Sequence, residues 1–175
     1  MATDRIVLRK FTPSDSSWIA DACNRPEMAR FVPALPSPYT VDDASEFIAH
    51  TESAWLDGTG AAFAIESVVG DPLGAIALSP SGEDWSHAGV GYWLRVEARG
   101  RGLATEALQL VSRWAFQALG AERLSLITDP DNISSQRVAE RAGFHREGVL
   151  RAWHPTRFGR RDSTMFSLLP QDVDQ

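Results

Sequence analysis

Residues 94–108 read LRVEARGRGLATEAL, opening like a strand and closing like a helix. At the joint stand three arginines and two glycines, in the order Arg95, Arg99, Gly100, Arg101 and Gly102. A tight turn needs one glycine and no arginine, so the stretch is suited to holding something anionic. Helix N-termini carry unpaired N–H groups and partial positive charge, which favour phosphate. Gly100 and Gly102 remove the Cβ atoms that would keep a ligand from those amides. Arg99 and Arg101 add forked donors that match phosphate oxygens, and a pyrophosphate is the natural guest. In isolation an RGRG run also reads as a turn with solvated arginines. Its place between a strand and a small-residue helix start favours the anion. Other phosphate motifs fail, since G-x-x-x-x-G-K-[ST] is absent and Gly100, Gly102 and Ala104 do not fit G-x-G-x-x-G. An RNA-binding RGG tract would be disordered and basic, unlike this framed segment.

Working outward, Ala104, Ala107, Leu108, Val111, Ala115 and Ala118 recur at helical spacing, and Gly120 ends the pattern. A strand at 123–129 follows. Upstream, strands are expected at 61–68, 73–79 and 88–94, and the turn signals GDP (70–72) and SPSGED (79–84) make them an antiparallel meander. Earlier still, a strand spans 5–10. TPSD then starts a helix with Thr12 as cap, Pro13 at its first position and Asp15 completing a capping box. That helix runs through Trp18, Ile19 and Ala22, and Pro26 limits it. VPALPSP (32–38) reads as a loop. Thr40 caps a second helix with Asp42 and Asp43 in its first turn, Ala44, Phe47, Ile48 and Trp55 on its apolar face, and Gly58 at its end. Downstream, DPDN turns into a short helix through Val138 and Ala142, Gly143 stops it, and strands near 144–152 and 160–169 close the chain. The expected fold is one mixed α/β (α+β) domain over residues 1–175, with a central, mostly antiparallel sheet of six to seven strands and helices on both faces. Its β-α-β unit places a binding site beyond the C-terminal end of strand 88–94.

Composition bounds the function. The chain has 175 residues, 43% of them hydrophobic and six of them tryptophan, enough for a core without disulfides. A lone cysteine, Cys23, excludes an internal disulfide and a Cys-based zinc site, and no metal is expected. The net charge of −6 argues against nucleic-acid binding and is compatible with a cationic substrate such as an amine. MATDRIVLRK does not read as a signal peptide, and no apolar run approaches the ~18 residues of a membrane helix. A soluble, cytoplasmic protein is the expectation.

A second segment narrows the anion. Residues 131–144 read DNISSQRVAERAGF. Together with RGRGLA from Arg99 to Ala104, this resembles the GNAT superfamily of acetyl-CoA-dependent N-acetyltransferases. Arg99, Gly102 and Ala104 match its [RQ]-x-x-G-x-[GA] pyrophosphate loop. The second segment resembles the N-x-x-S-x-x-V-x-E-x-x-G-F pattern of the RimJ/RimL-like branch, which acetylates protein N-termini. TDRIVLRKFTPSD and GYWLRVEARGRGLATEAL are similar to that branch too, so the resemblance spans residue 3 to about 169.

The resemblance implies a GNAT fold, acetyl-CoA as cosubstrate, a primary-amine acceptor and room for a homodimer. Leu94, Arg95 and Val96 would pair with the pantetheine arm through backbone groups. The N–H groups of Arg99, Gly100, Arg101, Gly102, Leu103, Ala104 and Thr105 would cradle the pyrophosphate, and Asn132, Ser135 and Arg137 would contact the cosubstrate. Asn132 is equally suited to capping the helix that follows. The acceptor amine would attack the thioester carbonyl directly, with the backbone N–H of Leu94 steadying the oxyanion. Related families place a tyrosine at the position of Ala139; the chain's tyrosines are Tyr39 and Tyr92, and the RimL-like pattern offers Ser135 instead. A serine hydroxyl is too weak an acid to give up its proton readily, so Ser135 is expected to donate a hydrogen bond to the leaving sulfur. Thiols ionise near pKa ~8.5, so modest help suffices.

The base is less well marked. Several family members carry a glutamate on the fourth strand where this chain has Gly89, leaving Glu66, Glu83, Asp84 and His87 as substitutes. An α-amine, with pKa near ~8, is partly neutral without any base, unlike a lysine at ~10.4. Trp18 and Trp55 read as core; Trp85, Trp153, His154, Arg157 and Asp162 are candidates for the acceptor cleft. A protein or peptide N-terminus is the expected acceptor. The alternatives are a small amine such as an antibiotic or polyamine, a non-catalytic acyl-CoA-binding regulatory domain, and a nucleotide-binding module.

Overall fold

The structure, a computed structural model, describes residues 1–26, 28, 35–156 and 159–173. β1 spans Ile6–Arg9, with Ile6 and Leu8 turned inward. The TPSD segment does not enter an α-helix at once: a single 3-10 turn, Pro13–Asp15, precedes α1 at Ser16–Cys23. Asp15 explains the tight first turn, because its carboxylate folds back onto the Thr12 N–H at 2.7 Å and onto the Arg9 guanidinium at 2.8 and 2.9 Å. α2 spans Val41–Leu56, and its Thr40 side chain accepts from the Asp43 N–H as the capping pattern requires. β2 (Ala61–Ser67), β3 (Pro72–Pro80) and β4 (His87–Leu94) form the meander. A 3-10 turn at Val96–Ala98 leads to α3 (Leu103–Ala118), then β5 (Arg123–Thr128), α4 (Ile133–Arg141), β6 (His145–Thr156), β7 (Gly159–Leu168) and α5 (Pro170–Val173).

The seven strands form one sheet in the order β1-β2-β3-β4-β5-β7-β6. Every neighbouring pair is antiparallel except β4 and β5. Those two pair only at their beginnings, His87 with Arg123, Ala88 with Leu124 and Gly89 with Ser125. From there β4 stays with β3 as far as Gly74 opposite Leu94, while β5 stays with β7 as far as Thr128 opposite Thr164. The sheet therefore opens along a seam between residues 90–94 and 126–128.

Alternation along the strands sends successive side chains to opposite faces. Phe63, Ile65, Ile76, Leu78, Val90 and Leu94 join Leu103, Leu108 and Val111 of α3 in the main core. Each such large aliphatic side chain, fully buried, contributes roughly 1.5–3 kcal/mol. On the other face Trp93 meets a second cluster built by α1 and α2 around Ile19, Ala44 and Ile48, with Trp18 at 5.7 Å between ring centroids. Trp55 stacks on Trp114 at 5.8 Å beside the main core. Helices thus cover both faces. The last hairpin is longer than the sequence suggests, reaching Thr156 through a register shift between Leu150 and His154, with Ala152 at φ 49°. Arg157 and part of the 32–38 loop lie outside the described residues. No described helix is long and apolar enough to cross a membrane.

Candidate active site

The seam opens into a cleft of about 1060 Å³, lined on one side by residues 90–94 and on the other by 126–129, with the first turns of α3 and α4 at its edge. Ladder geometry orients its wall. The Arg95 N–H donates to the Leu73 carbonyl at 2.9 Å, one step beyond the Gly74–Leu94 pair. In an antiparallel ladder this makes Leu94 and Gly74 a non-hydrogen-bonded pair, so the Leu94 N–H and C=O face away from β3 and toward the seam. The close approach needs a glycine: a Cβ on Gly74 would lie 2.2 Å from the Trp93 carbonyl oxygen. Arg99 takes up the Leu94 carbonyl through Nε at 3.0 Å, bracing the end of the strand as well as adding charge.

The Arg-Gly loop has the conformation its glycines permit. Gly100 (φ 74°) and Gly102 (φ 79°) both occupy the left-handed region, and Gly102 is the N-cap of α3. No side chain caps that end, so the first-turn amides of Leu103, Ala104 and Thr105 face the cleft edge without an internal acceptor from a cap. A Cβ on Gly100 would meet nothing within 4 Å, leaving space over the amides. These features fit a diphosphate. Three members of the expected binding set sit differently. Arg101 is exposed and outside the cleft lining, with its carbonyl turned to Arg5. Arg95 and Val96 line a small adjoining depression with Asp21 and Arg25, which shares Leu94 and Arg99 with the cleft, and the Arg95 guanidinium reaches the Pro72 carbonyl at 3.2 Å. Unforeseen from sequence is the brace on this loop: Arg5 donates to the Arg101 carbonyl at 3.1 Å and pairs with Glu106, which Thr3 also contacts.

Across the seam, α4 begins at Asn132, whose side-chain oxygen accepts the Ser135 N–H at 3.1 Å; the capping role is the one observed. Asn132, Ser135 and Arg137 all line the cleft, and so does Arg141. Ser135 Oγ stands 3.1 Å from the phenol of Tyr92, which reaches from β4 across the opening. Burial pushes the Tyr92 phenol above its ordinary pKa, partly offset by the hydrogen bond with Ser135. The alternation of β4, which puts Tyr92 on the face of Val90 and Leu94, was the available signal for this contact.

The candidate bases gather elsewhere. Glu66 is paired with Arg9 at 2.6 Å, Asp84 caps Ser86, Glu83 lies in an exposed turn, and His87 Nε2 is 2.7 Å from Ser125 Oγ at the closed end of the seam. None of the four lines the cleft. Gly89 is not enforced by packing, since a Cβ there would make only ordinary contacts of 3.8–3.9 Å with Ser79. Trp85 is likewise displaced from the expected acceptor region: it packs against the main core and donates to the Gly58 carbonyl at 3.0 Å. Trp153 is half exposed and outside the lining. His154 and Asp162 do line the cleft, and Asp162 accepts the Ala152 N–H at 2.7 Å, fixing the bulge of β6. Beside them Arg161 bridges Asp129 at 3.0 Å and Asp131 at 3.2 Å, tying β7 to the loop that enters α4. Among the described residues no group of three His, Cys, Asp or Glu side chains is arranged to hold a metal.

A sheet opened between a parallel β4–β5 pair, with an Arg-Gly helix start that no side chain caps at its mouth, defines a protein that can take an extended ligand ending in a diphosphate. The family model described as "Acetyltransferase (GNAT) domain" matches residues 5–145, and the chain belongs to that family of acyltransferases. The uncharacterized N-acetyltransferase YoaA of Bacillus subtilis (strain 168) is 26% identical over 170 residues, covering 97% of this chain and 96% of YoaA. Two solved structures share the fold. A ribosomal-protein-S5-alanine acetyltransferase from Vibrio fischeri superposes with a TM-score of 0.86 at 20% identity, covering 99% of this chain and 97% of its own. A spermidine N-acetyltransferase from Vibrio cholerae, in complex with CoA and spermine, gives 0.82 at 18% identity, covering 99% of this chain and all of its own.

Proposed function

We propose that the protein transfers an acetyl group from acetyl-CoA to the α-amine of a protein or peptide N-terminus, by direct attack of the amine. Acetyl-CoA supplies the activated acyl carbonyl. The Arg99–Thr105 loop and helix start receive its diphosphate, and the open edge of β4 pairs with its pantetheine arm. The Leu94 N–H, aimed into the seam, steadies negative charge on the carbonyl oxygen. Ser135 donates a hydrogen bond to the departing sulfur.

The same fold serves a ribosomal-protein acetyltransferase and a spermidine acetyltransferase, so the acceptor is argued from the site. The observation that carries the choice is the state of the bases: Glu66, Glu83, Asp84 and His87 lie outside the cleft, position 89 has no side chain, and of the groups that line it Asp129 and Asp131 are paired with Arg161 and Asp162 accepts the Ala152 N–H, which leaves His154. An acceptor that arrives partly neutral suits such a site. An α-amine near pKa ~8 does so, whereas a lysine at ~10.4 is almost wholly charged at neutral pH. CoA release is to be measured against N-terminal peptides, the same peptides with blocked α-amines and a free lysine, and spermidine. Turnover confined to free α-amines is expected. A higher kcat/KM for spermidine overturns the acceptor, and tight acetyl-CoA binding with no turnover on any amine replaces the enzyme by a binding module.

A further inference from the structure

Tyr92 and Ser135 come from opposite sides of the seam, one from β4 and one from the first turn of α4, and their oxygens lie 3.1 Å apart. Both line the cleft. Ser135 is held independently by the Asn132 cap on its backbone, so the helix start places the residue and the contact of its hydroxyl sets the side chain. A phenol, with pKa ~10, is a far better donor than an alkanol, and a serine oxygen is the better acceptor. The bond therefore runs from Tyr92 to Ser135. Serine has one O–H and two lone pairs, and a lone pair occupied by Tyr92 leaves its proton to point elsewhere.

Resting on the reading of Ser135 given above, we propose that Tyr92 is a positioning residue, whose phenol holds the Ser135 hydroxyl so that the serine proton is directed at the leaving sulfur. In the transfer the N–C bond forms, the C–S bond breaks and its electron pair goes to sulfur. The sulfur departs as a thiolate hydrogen-bonded by Ser135 and takes its proton from water, and the surplus proton of the amine also goes to water. Tyr92 and Ser135 keep their protons throughout. A proton relay from Tyr92 would run uphill, because a buried phenol holds its proton more tightly than a thiol of pKa ~8.5.

Four proteins test this: the wild type, Tyr92→Phe, Ser135→Ala and the double variant, assayed for turnover of an N-terminal peptide and for CoA affinity by calorimetry. Tyr92→Phe is expected to lower kcat about tenfold, to leave CoA affinity within about twofold, and to cost nothing further in the Ser135→Ala background. Multiplying losses in the double variant, or parallel losses in kcat and CoA affinity, overturn the coupling. Full turnover by Ser135→Ala alone overturns instead the role of Ser135 on which the coupling rests. A substrate-free readout is available because Tyr39 and Tyr92 are the chain's two tyrosines. In an ultraviolet phenolate titration Ser135→Ala should move one of them upward, because on ionisation the serine hydroxyl turns to donate to the phenolate and its loss leaves that charge unaided. Unmoved titrations would show the bond to be absent in solution.

Discussion

At the residue scale, Asp15 illustrates how a single buried carboxylate anchors a terminus. It is 3% exposed and accepts from Arg9, the Thr12 N–H and the Trp18 indole. Burial alone would raise its pKa, but hydrogen bonds from Arg9, Trp18 and Thr12 outweigh that and hold it well below the usual carboxylate range. Its stabilisation is thus fully present above the unfolded value of about 3.9 and falls away as pH drops toward the lower folded value. Asp15→Asn should cost about 3 kcal/mol at neutral pH, and the gap between variant and wild type should narrow below about pH 4. Urea unfolding at several pH values measures both; a gap independent of pH would remove the charge from the account. The capping pattern announced Asp15, but not its Arg9 partner, since pairing across β1 and the turn depends on a fold that no local pattern encodes. For Tyr92 the alternation of β4 gives the face, and only the fold gives the partner. Its partner is 43 positions away.

At the scale of elements, the loop between β4 and α3 was the most legible part of the chain, because its glycines are required by local geometry. Gly102 sits at φ 79°, and the nearest atom to a Cβ there is Arg5 Nη2 at 3.8 Å, an ordinary contact. Gly102→Ala therefore pays for backbone strain alone, about 1–2 kcal/mol. Gly74→Ala should destabilise more, since its Cβ would collide with the Trp93 carbonyl at 2.2 Å and force β3 and β4 apart. Thermal unfolding of the two variants should rank them in that order; equal losses would mean that β4 yields freely. The elements themselves lie within a few residues of the expected strands and helices. The exceptions have local causes: the 3-10 turn that Asp15 tightens, and the β6 bulge that Asp162 and Arg160 fasten from the facing strand. The side chains of Arg95, Arg101 and Trp85 turn away from the cleft, a direction the sequence leaves open because charge and aromaticity mark a surface without telling which way it faces.

At the scale of the whole molecule, the sheet is two half-sheets, β1–β4 and β5–β7–β6, joined by three residue pairs. The two cores differ too: the main one ties α3 to the strands, and the smaller one holds α1 and α2 over Trp93. A ligand that binds the folded state alone stabilises it by mass action, about 2.7 kcal/mol at a concentration 100 times its Kd. Acetyl-CoA is expected to raise the melting temperature and ATP to leave it unchanged; the reverse preference would sink the reading of the Arg-Gly loop. Hydrogen exchange should add detail, with the amides of residues 90–94 slowed most by acetyl-CoA.

The seam also carries a kinetic consequence of the proposed function. An acyl donor lying along β4 would fill the gap that opens beyond the three β4–β5 pairs, as a temporary eighth strand. Donor-first, acceptor-second kinetics are then the expected outcome, with free CoA the last product to leave, and product-inhibition patterns measure it; an acceptor that binds equally well without the donor would remove the ordering.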